Sequence, residues 1–88
     1  MTVSTERFSE AEARRIGTAI GIDWATVSFG AEQFRMGLHV ELEHGAHDPE
    51  TNVTSDDELV TGKIAWAHLK ELPDYYTRLA VMEAEAEG

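Results

Sequence analysis

Two four-residue signals constrain the fold of this chain more than anything else in it: Ser9-Glu-Ala-Glu12 and Ser55-Asp-Asp-Glu58. Each is a capping box, in which a serine hydroxyl accepts from a first-turn amide while a glutamate three residues on reaches back to the serine N–H. Two marked helix starts, with Pro73 as a marked stop, predict an all-α chain. The first helix should run to about Ile20, with Ile16 and Ile20 on its buried stripe and Gly21 as terminator. Asp23 can cap a short turn through Trp24 to Ser28, ended by Gly30. Ala46 to Thr54 reads as a polar loop, and Ser55 opens a helix through Ile64, Trp66 and Leu69 to near Leu72. Pro73 then serves as first residue of a last helix carrying Tyr75, Tyr76, Leu79 and Met82, which frays into an acidic tail at 84–88.

Residues 31–44 admit two periods. Phe34, Met36, Leu38, Val40 and Leu42 alternate as in a half-buried strand, yet Phe34, Leu38 and Leu42 also recur every four residues. Segment length, the helix-forming Glu, Gln, Arg, Met and Leu, and Gly45 as a stop favour helix. The expectation is a small single-domain bundle over 1–88: three main helices plus a short turn, behind an N-terminal tail at 1–8. Eighty-eight residues leave no room for a second core. No cysteine is present, which excludes disulfides, thiolate zinc sites and cysteine nucleophiles.

The chain carries 17 acidic against 7 basic residues, a net charge of −10. Such a surface repels phosphate, so neither nucleic acid nor an anionic membrane is an expected partner. A homo-oligomer or a protein partner remains, and would supplement a small core. High acidity with only two lysines resembles proteins adapted to high internal salt, and equally suits a merely soluble acidic protein. The polar start, Met1 to Arg7, offers no apolar leader, so a cytoplasmic location is expected. Asn52-Val-Thr54 matches a glycosylation sequon that would then go unused.

Chemistry is suggested by a near-mirror pair, Glu41-Leu-Glu-His44 and His68-Leu-Lys-Glu71. Helical residues three apart share a face, and Glu-x-x-His is the spacing of carboxylate metal sites in helical bundles. Glu41, His44, His68 and Glu71 would give two nitrogens and two oxygens to one divalent transition metal: zinc, iron or manganese. Tyr76, and beside it Tyr75, could support a ligand carboxylate from behind, or simply pack. Binding needs neutral imidazoles, so affinity should fall as pH drops through the region near 6.5 where histidines ordinarily protonate. The competing explanation is a metal-free network, for instance Glu41 to His68, that fixes helix register in an interaction or assembly module. A solvated pair of polar faces is the third.

Other signals are weak. The stretch from Asp48 to Asp56 has oxygen side chains at alternate positions, but Val53 stands where a calcium loop needs glycine and Leu59 where it needs glutamate. His39 and His47 read as surface or loop histidines, and Trp24 and Trp66 as core or interface aromatics. No nucleophile elbow, phosphate loop or dinucleotide fingerprint occurs, so the residues give no support for covalent catalysis.

The block Gly37 to Gly45, then Gly62 to Leu79 with Met82-Glu83, resembles a domain-of-unknown-function family of small helical proteins from bacteria, archaea and tailed viruses. Its Glu-x-Glu-His element falls on Glu41, Glu43 and His44, and its His-Leu-x-Glu-x-Pro-x-Tyr-Tyr element on His68, Leu69, Glu71, Pro73, Tyr75 and Tyr76. The resemblance implies a helical fold and keeps a virus-associated role open; it implies no activity. The stretch from Asp48 to Asp57 is longer than in many relatives.

Overall fold

A computed structural model describes residues 8–47, 50 and 57–87, with the backbone alone for 44–47. Among these residues there are four helices and no strand: α1 (Glu10–Ile20), α2 (Ala31–His47), α3 (Glu58–Glu71) and α4 (Tyr75–Glu87). Four helices, rather than three and a turn, form the fold, because α1 is integral to it. It packs against both α2 and α3, while α4 packs on α2.

The first capping box forms as its residues dictate. Ser9 Oγ accepts from Glu12 N at 3.0 Å and Glu12 Oε1 accepts from Ser9 N at 2.9 Å. Gly21 ends α1 at φ 110°, a left-handed conformation that costs glycine little. Asp23 then accepts from Ala25 N through its carboxylate and from Thr26 N through its carbonyl, closing the expected short turn.

Four boundaries differ from expectation. Asp57, not Ser55, caps α3: its Oδ1 accepts from Leu59 N at 2.8 Å and Val60 N at 3.0 Å. One anionic oxygen thus satisfies two first-turn amides at the positive end of the helix; Ser55 lies outside the described residues. Helix α2 continues through Gly45 to His47, since glycine stops a helix only by turning left-handed and otherwise merely weakens it. Helix α4 starts at Tyr75 rather than Pro73, because Pro73 is spent on a turn in which Tyr75 N donates to Leu72 O at 2.9 Å. It continues to Glu87, so the segment expected to fray is helical and exposed.

The ambiguous segment is helical, and burial explains why. Phe34 and Leu38 are fully buried and Leu42 nearly so, on one stripe, with Met36 and Val40 at its margin. The same core takes in Ile16 of α1 and Ala65 and Leu69 of α3, and the Trp24 ring stands edge-on to Phe34 at 5.8 Å. Close approach depends on two glycines. A Cβ on Gly37 would stand 2.6 Å from the Tyr76 ring and 2.9 Å from Ala65 Cβ, and one on Gly62 would stand 3.1 Å from Ile16 and 3.3 Å from Phe34.

Candidate functional site

Helices α2, α3 and α4 meet where the sequence concentrates its polar pairs. On α2, Glu41 lies one turn beyond Gly37, so its backbone is held close to α3 and to the Tyr76 ring. On α3, His68 precedes the buried Leu69 in the last turn, and its carbonyl accepts from Leu72 N at 3.0 Å. Leu72 is extended, at φ −148° and ψ 101°, as a residue before proline prefers. The Leu72–Tyr75 turn then reverses the chain and delivers two tyrosines back to the end of α3.

The resulting contacts are specific. Tyr76 Oη donates to Glu41 Oε2 at 2.8 Å, and the same oxygen lies 3.5 Å from His68 Nε2. The Tyr75 ring stacks on the His68 imidazole at 4.4 Å, nearly parallel at 3°, and the Tyr76 ring stands edge-on to both. The Glu41 side chain is only 15% exposed, against 38% for His68. Burial, reinforced by the hydrogen bond to Glu41 and that group's negative charge, drives the Tyr76 hydroxyl well above the usual tyrosine range. The phenol is therefore a fixed donor, and it orients the carboxylate that faces the imidazole.

Of the residues singled out by sequence, Glu41, His68, Tyr75 and Tyr76 come together. Glu71 is exposed, one turn beyond His68 on α3. The backbone of His44 continues α2 one turn past Glu41, while its side chain lies outside the described residues, as does that of His47. Among the described residues, no group of three or more histidine, aspartate or glutamate side chains converges as a metal site.

His39 corrects the expectation of a surface histidine. Its Nε2 accepts the Phe8 N–H at 2.9 Å, its ring lies 5.4 Å from the Phe8 ring, and Arg35 donates to Phe8 O at 3.4 Å. Residues 35 and 39, one turn apart on α2, thus hold the backbone of a buried phenylalanine inside the stretch 1–8 that is expected to be a tail. A large apolar residue directly before a capping serine is the signal that marks Phe8 as anchored.

An all-helical protein with a carboxylate–imidazole–phenol junction between three helices is the class these observations define. The chain belongs to the family described as Protein of unknown function (DUF5661), whose model matches residues 13–85. That span encloses Glu41, His44, His68, Glu71, Tyr75 and Tyr76. No curated protein and no solved structure matches the chain. No helix among the described residues is long and apolar enough to cross a membrane.

Proposed function

We propose that this protein holds one divalent transition metal between α2 and α3. Glu41 and His68 are the pair at its centre, with His44 and Glu71, each one helical turn along, as the remaining ligands. The observation that supports this reading is the meeting of Glu41 Oε2 and His68 Nε2 across two helices, 3.5 Å apart. Each is a competent ligand for zinc, iron or manganese. Tyr76 and Tyr75 would act behind them, the first by its hydrogen bond to the carboxylate and the second by stacking on the imidazole.

One observation favours a second reading. The Tyr76–Glu41 hydrogen bond satisfies the carboxylate within the protein, so the same residues could serve as a register-fixing network in an interaction or assembly module, virus-associated or otherwise. A single experiment separates the two. Metal-free protein is melted alone and with Zn(II), Fe(II) or Mn(II), then with excess chelator. A site in the folded state adds about 2.7 kcal/mol of stability at a metal concentration 100-fold above Kd, and the chelator removes it. His68→Ala should abolish the shift, whereas His39→Ala should lower the baseline stability and keep the shift. If no metal moves the melting temperature, the register-network reading takes over.

A further inference from the structure

We infer that α4 is a hinged latch, opening away from the mutually packed α1, α2 and α3 about residues 72–74, with the Tyr76–Glu41 contact as its catch. The inference goes beyond the metal reading and does not depend on it.

The four helices are not equally committed to the core. Helices α1, α2 and α3 each pack against the other two, whereas α4 packs on α2 and reaches α3 through the Tyr75–His68 stack. Ile16, Phe34, Leu38, Ala65 and Leu69, all fully buried, belong to those first three helices. In α4 only Tyr76 is buried, with Tyr75 and Leu79 partly so. Segments with few buried apolar contacts open locally, at a lower free energy than the whole molecule needs to unfold.

The contacts that hold α4 are gathered at its start. Tyr76 Oη donates to Glu41 Oε2 at 2.8 Å, Gln33 Nε2 donates to Thr77 Oγ1, and the Tyr75 ring lies on His68. Beyond Leu79 every residue to 87 is exposed, so a break at the first turn releases the rest. Leu72, Pro73 and Asp74 join α3 to α4, and Pro73, having no N–H, cannot fuse them into one helix. These few residues at the ends of two helices are where a hinge absorbs its change of backbone angle. Asp74 meanwhile keeps the start of α4 intact: its carbonyl accepts from Arg78 N at 3.1 Å and its carboxylate from Arg78 Nε at 2.8 Å. Opening would therefore carry Tyr75 and Tyr76 away together, baring the Gly37 backbone, the Glu41 carboxylate and the face of His68.

Site-resolved amide hydrogen exchange on the full chain tests this. A helix as short as α4, once undocked, is marginal in water, so its amides exchange whenever the latch opens. The amides of Arg78 and Leu79 should be protected at least about 10-fold less than those of Leu38 and Leu69. Ile16→Val weakens the three-helix unit: it should lower protection at Leu38 and Leu69 roughly 3- to 10-fold and leave Arg78 and Leu79 unchanged. Tyr76→Phe keeps the ring and removes the catch, and should lower protection at Arg78 and Leu79 roughly 10-fold. Equal protection in all four helices, or a loss shared by α4 in Ile16→Val, would show that α4 opens only with the whole molecule and would overturn the inference. Unchanged exchange at Arg78 and Leu79 in a folded Tyr76→Phe chain would reduce α4 to a fraying end and overturn it equally.

Discussion

The two halves of α2 are fastened by different chemistry. Toward its start, Phe34 and Leu38 sink fully among Ile16, Ala65, Leu69 and the edge of Trp24, contacts that carry no direction. One turn past Gly37, Glu41 meets a phenol at 2.8 Å and an imidazole at 3.5 Å, contacts that hold only at particular angles. The apolar half supplies most of the stability. The polar half contributes less and specifies more, because it determines how α4 sits against α2 and which way the Glu41 oxygens point.

The contrast can be broken most directly at Phe34. Phe34→Ala leaves a cavity at the meeting of α1, α2 and α3, and should cost about 3–5 kcal/mol in a denaturant titration. A loss below about 1 kcal/mol would mean that the apolar half is not the main source of stability.

Tyr76→Phe tests the polar half and should cost less, about 1.5 kcal/mol. That is the lower end for a hydrogen bond to a charged group, because Glu41, still 15% exposed, regains water. The same variant carries a pH signature. Folding holds the Tyr76 proton more tightly than the unfolded chain does, so the stabilisation is complete below the ordinary tyrosine value near 10. Above it the unfolded state loses this proton first, and stability falls with rising pH by up to about 1.4 kcal/mol per unit. Urea midpoints at about pH 9 and pH 11 should therefore fall further in the parent than in Tyr76→Phe. Equal slopes would show that the buried phenol is not what the alkaline limb reports.

Gly37 lies between the halves, and Gly37→Ala sets two terms against each other. Alanine gains about 0.5–1 kcal/mol in a helix interior. Its methyl, however, would stand 2.6 Å from the Tyr76 ring and 2.9 Å from Ala65 Cβ, overpacking that costs about 1–3 kcal/mol. The Tyr76 ring is itself held by Glu41 and cannot simply swing away. A net loss of about 1 kcal/mol is expected, and a gain would mean that α2 and α3 are less closely apposed at this turn.

The same division explains what could be read from the sequence. Helix starts at Ser9 and stops at Gly21 are local chemistry, satisfied within four residues, and they came out as written. The period-four stripe of Phe34, Leu38 and Leu42 likewise identified the core face of α2. Glu41 and His68 were legible as candidates, and as a possible pair, because helical spacing is local, but the geometry of the tyrosines around them was not. The Tyr75–His68 stack depends on the tight turn after Pro73, and the docking of Phe8 on His39 spans 31 residues. The sequence pattern points to Ser55 as the cap of α3, but the cap is Asp57, two residues on, whose single carboxylate takes both first-turn amides.

The smallest effect should come from the far end of α4. Beyond Leu79, which packs against the core, residues 80–87 are all exposed, Val81 at 53% and Met82 at 57%. A side chain already in water loses little by becoming polar, so Met82→Gln should change stability by no more than about 0.5 kcal/mol. This distinguishes a bare arm from a covered face. If a second copy of the chain sits on α4, burying Met82 would link folding to association, and the melting temperature would rise with protein concentration. Met82→Gln would then lower it at high concentration alone. A melting temperature independent of concentration, with a silent Met82→Gln, leaves Tyr76 and Leu79 as the anchors of α4 and its last two turns as solvated helix.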